Sequence, residues 1–173
     1  MNIEVLFEDI TTVKADAIVN AANRSLLGGG GVDGAIHRAA GLKLDKACKK
    51  LGGCNIGDAK LTKGYDLPAK YIIHTVGPVW QGGGNNEENL LKQCYLSSLQ
   101  LAVLHNIKTI AFPAISCGVY RFPPERATLI AVNTVMGFLR RNNDIEKVWF
   151  VLVDEPIYKL YKDIVDEMGS GAQ

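Results

Sequence analysis

The chain has 173 residues, 47% of them hydrophobic and 21% charged, with a formal net charge of +1. That length suits one domain with a sizeable core. A balance so near neutral excludes a global field for nucleic acid or anionic membrane, and no apolar run approaches the roughly 20 residues of a membrane span.

In chain order, "NIEVLF" alternates polar and apolar residues and predicts a strand. The N-terminal region lacks the basic, apolar and small-residue order of a signal peptide. Four cysteines without a CxxC suit a reducing compartment, so the expected location is cytoplasmic. "DAIVNAA" predicts a buried strand. Residues 33–51 predict a helix with a possible break at Gly41. "AKLTKGY" and "YIIHTV" are strands, and "WQGGGNNEEN" is a loop. A helix follows from Glu87 to about His105, with Leu91, Tyr95, Leu99 and Ala102 at helical spacing. "KTIAFPAI" is a buried strand interrupted by Pro113. Pro123 and Pro124 introduce a second long helix, as proline at a helix start does. "KVWFVLV" is a strand, "EPIYKLYKDIVDEM" a final helix and "GSGAQ" a frayed tail. Strands and helices alternate almost to the end, which predicts helices on both faces of a largely parallel or mixed sheet. The expected organisation is one domain over residues 1–168 and a flexible tail over 169–173, with a monomer as the default.

In such sheets ligands bind beyond the carboxyl ends of the strands, and two loops stand out there. Residues 23–34 carry Gly28 to Gly31 and lead into a helix. The glycines allow positive φ and close backbone approach, and the helix adds its positive end. The second loop, "PAISCGVYRFP", has small residues whose N–H groups can close around an anion. Neither loop has the lysine-serine or lysine-threonine pair of a P-loop, which disfavours a magnesium-dependent phosphotransferase. Two anion loops on one edge suit a diphosphate. Gly29, Gly31 and Gly34 satisfy GxGxxG, but no acid follows at the distance a ribose contact needs, so an oxidoreductase fits poorly. Asp33 stands at the mouth of the first loop. It has a bland reading, capping the helix, and a sharper one, holding and polarising a water beyond the phosphates. Asn23 is its natural partner, able to orient a sugar hydroxyl without adding charge, or else simply a residue that closes the loop.

Together "DAIVNAANRSLLGGGGVDGAIHRAAG", "YIIHTVGPVW" and "AFPAISCGVYRFP" resemble a macrodomain of the MacroD-type hydrolase class, over residues 1 to 168. The resemblance implies a three-layer α/β/α sandwich with a central mixed sheet and a cleft for ADP-ribose. It implies that Asp9 accepts the adenine amino group with the Ile10 backbone beside it. Asn23 would hold the distal ribose, with Ala22, Gly30, Gly31, Val32 and Gly34 lining that ribose and the phosphates. Asp33 would be the catalytic acid. Ser116, Cys117, Gly118, Val119 and Tyr120 would wrap the diphosphate, and His37 and Phe122 would stand behind the contacting residues. The implied activity is ester cleavage at the distal ribose, on O-acetyl-ADP-ribose and on proteins mono-ADP-ribosylated at Asp or Glu. No metal or other cofactor is implied.

Some positions depart from the family pattern. "EDI" replaces "GDI", "SCG" replaces "STG", "YRFP" replaces "YGYP", and Val153 stands where many relatives carry an aromatic beneath adenine. His37 lies four residues after Asp33, able to hydrogen-bond it or simply to pack. His74 reads as a satisfied core histidine. Trp80 and "GGGNN" read as a surface loop, with a flap as the alternative. Lys46, Lys49 and Lys50 read as a solvated helix face, and nucleic acid is not an expected partner. The rival to a hydrolase is a reader that binds ADP-ribose without turning it over.

Overall fold

The computed structural model describes residues 2–170, the side chain of Ser170 excepted. Six strands, β1 (Ile3–Phe7), β2 (Ala17–Ala22), β3 (Ala59–Lys63), β4 (Tyr71–Val76), β5 (Thr109–Phe112) and β6 (Lys147–Leu152), form one sheet in the order β1-β6-β5-β2-β4-β3. Every neighbouring pair is parallel except β3 against β4, so the sheet is mixed through one antiparallel edge strand. Five helices cover it: α1 (Gly31–Ala40), α2 (Leu42–Leu51), α3 (Glu87–Leu104), α4 (Pro124–Arg141) and α5 (Glu155–Ser170). A 3-10 turn (Ile10–Thr12) follows β1.

The period of two along a strand sorts side chains between the layers. Ala17 and Val19 of β2, with Phe112, Val148 and Phe150, pack with α3, α4 and α5. Ile18, with Ile72, Ala111 and Val151, packs with α1 and α2. These are the two hydrophobic layers of a three-layer α/β/α sandwich. Burial on both faces explains why the central strands read as continuous apolar runs. Each fully buried large apolar side chain, such as Phe112, Phe150 or Leu44, contributes roughly 1.5–3 kcal/mol.

The helix expected over 33–51 begins two residues earlier and is two helices, parted at Gly41. Gly41 has φ +89, and a Cβ there would stand 2.9 Å from Asp66 Oδ2. β5 stops at Phe112, just before Pro113, which has no N–H for the ladder. Pro124 occupies the first turn of α4. Asp154 accepts from the Ile157 N–H at 3.2 Å and so caps α5. That helix runs on through Gly169 and Ser170, two residues expected in the tail; residues 171–173 of the expected tail lie outside the described residues.

Candidate active site

β2 and β5 are neighbours in the sheet, but the helices they lead into cover opposite faces, α1 below and α4 above. The two loops therefore part from each other and leave a crevice at the carboxyl ends of the strands, where α/β sheets hold ligands. β6 and β1 extend the same edge, which brings Val153 and Asp9 into line with the two loops. Three inter-strand steps separate β1 from β2, about 14 Å at ordinary strand spacing. An elongated ligand is needed to touch both ends.

The start of α1 bears on the capping reading of Asp33. The N-cap is Gly30, and no side chain caps the helix. The first-turn N–H groups of Gly31, Val32 and Asp33 thus point outward unsatisfied by the helix. Asp33 is 5% exposed, and its carboxylate bonds to no backbone N–H. Its Oδ1 instead accepts from Asn20 Nδ2 at 2.9 Å. Its Oδ2 faces the loop: a methyl on Gly29 would stand 3.2 Å from that oxygen and 3.5 Å from Asn23 Nδ2. Asp33 and Asn23 thus border one small space that only a residue without a side chain leaves open. Capping is not what this acid does.

Asn23 also closes the loop. Its Nδ2 donates to the Gly28 carbonyl at 2.9 Å. Its Oδ1 accepts from the Ser25 N–H, the Ser25 hydroxyl and the Leu26 N–H at 3.2, 2.7 and 3.2 Å. Gly34 faces the loop's own backbone, since a Cβ there would overlap the Gly29 carbonyl oxygen. Ala22, at the end of β2, is buried beneath the loop.

Beneath α1 runs a chain of buried polar groups that sequence reasoning did not assemble. Asn20 and His74 are register partners on β2 and β4 and face the same layer. Burial foremost, with His37 nearby, pushes His74 down to about 3, so the ring is neutral near pH 7. Asn20 Nδ2 donates to His74 Nδ1 at 3.1 Å, which requires that nitrogen to be bare. The proton is then on Nε2, donated to Thr62 Oγ1 at 2.9 Å. His74 is the satisfied core histidine its sequence context predicts. Asn20 spends one amide hydrogen on His74 and the other on Asp33, which fixes the carboxylate from below. A polar residue inside the apolar run "AIVNAA" was the available signal.

His37 lies on the other side of Asp33. Its Nε2 is 3.4 Å from Asp33 Oδ1, too poorly aligned for a hydrogen bond, and has no other partner. Its Nδ1 makes a short bond of 2.7 Å to Asp45 Oδ1 on α2. The ring lies against Gly28, whose Cβ, were there one, would sit 3.6 Å from His37 Cγ.

The second loop is built differently. Ser116 has φ +65 and Arg121 φ +60, and the turn closes through Phe122 N–H to Ser116 O and Arg121 N–H to Gly118 O, each 3.0 Å. Among the described residues, the N–H groups of Cys117, Gly118, Val119 and Tyr120 donate to no protein acceptor, and Val119 is 89% exposed. Ser116 Oγ is buried without a partner, and Gly77 is the residue whose missing Cβ makes room for it. Phe122 is buried against Trp80, ring centroids 4.8 Å apart. Burial, with Asp154 nearby, pushes the Cys117 thiol up to about 12, which leaves little reactive thiolate near pH 7.

The loop after β4 is fastened to this one. Trp80 N–H donates to Tyr120 O at 2.8 Å. The buried Glu87 carboxylate accepts from the N–H groups of Gln81, Gly83 and Asn85 at 2.8, 2.9 and 2.6 Å. Those bonds, Gln81 first, hold its carboxyl down at about 2. This is an anchored loop rather than a flap. The sign in the sequence was an acid opening α3 three residues after a run of glycines.

At the β1 end, Asp9 Oδ1 caps the 3-10 turn, accepting from Thr11 N–H at 2.9 Å and Thr11 Oγ1 at 2.8 Å, beside the buried Ile10. Val153 is 69% exposed. Among the described residues no group of three His, Cys, Asp or Glu side chains is arranged to hold a metal ion, and no helix is long and apolar enough to cross a membrane. Lys43, Lys46 and Lys50 line an open groove of about 490 Å³ between α2 and β3, away from both loops.

Comparison with known proteins matches most of the chain. A model of the macro domain family matches residues 19–131. A macro domain-containing protein of Mesorhizobium japonicum is 57% identical over 163 residues, 94% of this chain and 93% of that protein. A Klebsiella pneumoniae protein named O-acetyl-ADP-ribose deacetylase is 55% identical over 166 residues, 94% of this chain and 95% of that one. The solved Oceanobacillus iheyensis macrodomain with ADP superposes with a TM-score of 0.93 at 41% identity, covering 98% of this chain and 92% of that one.

Proposed function

The chain belongs to the macro domain family, and from that premise we propose that it is a metal-independent hydrolase of esters at the distal ribose of ADP-ribose derivatives. Its substrates are O-acetyl-ADP-ribose and proteins mono-ADP-ribosylated on Asp or Glu. The observation that carries this reading is the carboxylate of Asp33. It is buried, held at Oδ1 by Asn20, and turned at Oδ2 toward a space shared with Asn23. The deacetylase named in Klebsiella pneumoniae supports the ester chemistry.

ADP-ribose lies along the strand ends. The Asp9 carboxylate accepts from the adenine amino group beside Ile10. The free N–H groups of Cys117, Gly118, Val119 and Tyr120, with those that open α1, take the diphosphate. Gly30, Gly31 and Val32 line the distal ribose, and Asn23 orients its hydroxyl. A water stands between Asp33 Oδ2 and a diphosphate oxygen. Asp33 accepts its proton as the oxygen bonds to the ester carbonyl carbon. The bond from that carbon to the ribose oxygen then breaks. The ribose oxygen leaves taking the proton that Asp33 had accepted, which releases the acid and ADP-ribose and restores the carboxylate. On a glutamyl ester the same water has a second point of attack, the anomeric carbon.

The test is release of free ADP-ribose from a glutamate-linked mono-ADP-ribosylated protein by wild type and Asp33→Ala at equal concentration. Release by wild type alone is expected, and equal release by both sinks the mechanism. A second reading, a non-catalytic reader, draws on the loop-closing bonds that occupy the Asn23 side chain. It predicts ADP-ribose binding without release by either protein.

A further inference from the structure

We infer that Asp45, on α2, is a positioning residue for the proposed hydrolysis, acting through His37 on both Asp33 and the floor of the glycine loop. The inference rests on the hydrolase reading above. Asp45 is half-exposed and lies outside the cleft, on a helix that carries no other site residue. Its Oδ1 accepts from His37 Nδ1 at 2.7 Å, the shortest polar contact of the histidine. This bond fixes Nδ1 as a proton-bearing nitrogen and sets the plane of the ring. Two consequences follow from that plane. The ring lies flat under Gly28, at van der Waals distance from where its Cβ would be. Gly28 is also the residue whose carbonyl accepts from Asn23. Meanwhile Nε2, buried and without an aligned partner, is left 3.4 Å from Asp33 Oδ1. One half-exposed carboxylate thus sets the groups on two sides of the reacting space.

The groups facing His37 are Asp33 on its own helix, Asp45 on α2 and the neutral His74 on β4, whose ring centroid is 6.4 Å away. Cys48 of α2 lies 3.9 Å from His74 Nε2, and its thiol is pushed up to about 11 by burial foremost and by the charges of Asp33 and Asp45. Asp33 and Asp45 are thus the two carboxylates that reach the ring nitrogens. Removing one leaves His37 free to turn toward the other.

The test compares wild type, Asp45→Ala and Asp45→Asn; the position is half-exposed and the helix does not depend on it for its core. Turnover of O-acetyl-ADP-ribose is resolved into kcat and KM, the ADP-ribose Kd is measured separately, and the His37 ring nitrogens are followed by 15N NMR. Asp45→Ala should lower kcat about tenfold, the scale of a small misplacement at a reacting centre. KM and Kd should stay within twofold, and the protonated Nδ1 signature should be lost. Asp45→Asn keeps an oxygen acceptor and should recover kcat to within about threefold of wild type. An unchanged kcat in Asp45→Ala, or a loss mirrored in Kd, overturns the inference. If wild type itself shows no turnover, the hydrolase reading has failed instead. The His37 spectrum then still decides whether Asp45 holds the ring: an unchanged Nδ1 signal in Asp45→Ala rejects it.

Discussion

The loops after β2 and β5 leave neighbouring strands and close on the same crevice, but they are held by different forces. Loop 23–34 is wired from below by Asn20, His74, His37 and Asp45, a chain of buried or half-buried polar groups. Loop 113–123 rests on packed rings, Phe122 on Trp80, and on one main-chain bond from a segment tied down by Glu87. The contrast fits the roles proposed for the two loops. Gripping a diphosphate takes backbone N–H groups, which any well-packed turn can aim. Moving a proton takes a carboxylate whose geometry is fixed by named partners, and in a low-dielectric interior each such partner counts for more.

The sharpest way to break the wired loop is Gly34→Ala. Its Cβ would overlap the Gly29 carbonyl, so loop and helix must separate. Overpacking of this kind costs about 1–3 kcal/mol. A fall in Tm with near-complete loss of turnover is expected, whereas Gly118→Ala in the other loop meets nothing within 4 Å and should leave Tm unchanged. Next is Asn20→Leu, which strips Asp33 Oδ1 and His74 Nδ1 of their shared donor. Leaving buried acceptors unpaired costs about 1–3 kcal/mol. Turnover should fall more than ADP-ribose affinity, because the diphosphate loop is untouched.

Glu87→Gln probes the packed loop from the other side. It should raise the ADP-ribose Kd while sparing kcat. The folded carboxyl is depressed from the ordinary 4.5 to about 2, so its stabilisation is present above 4.5 and lost as pH falls through about 2. The Tm gap between wild type and Glu87→Gln should therefore be full at neutral pH and shrink steadily in acid. His74, pushed down to about 3, loses its stabilisation as pH falls from the ordinary 6.5 toward 3, but equally in both proteins, and cancels in the difference. The smallest effect belongs to Val153→Tyr. A ring under adenine adds about 1 kcal/mol, or roughly fivefold in Kd, with kcat unchanged.

The same contrast separates what the sequence makes legible from what it does not. Both loops are visible because glycine, proline and small residues act locally, and the strand-loop-helix order gives their place on the sheet edge. Gly41 announces the break between α1 and α2 for the same local reason. The supports leave only faint local signs because they act across the chain. Asn20 meets His74 only when β2 and β4 pair, and Glu87 gains its meaning only when the loop before it folds back. Asp45 sits in "LKLDKACKK", a stretch that reads as an ordinary charged helix face until α2 turns at Gly41 and brings it to His37. The antiparallel direction of β3 likewise follows from its pairing with β4 rather than from its own residues.

The measurement that bears most directly on the central claim is hydrolysis of O-acetyl-ADP-ribose by wild type and Asp33→Asn, with the ADP-ribose Kd of each determined alongside. The predicted result is turnover by wild type, a loss of about 100-fold or more in the variant, as removal of a general base gives, and Kd values within about threefold. Equal turnover by the two proteins, or tight binding with no turnover by either, would contradict it.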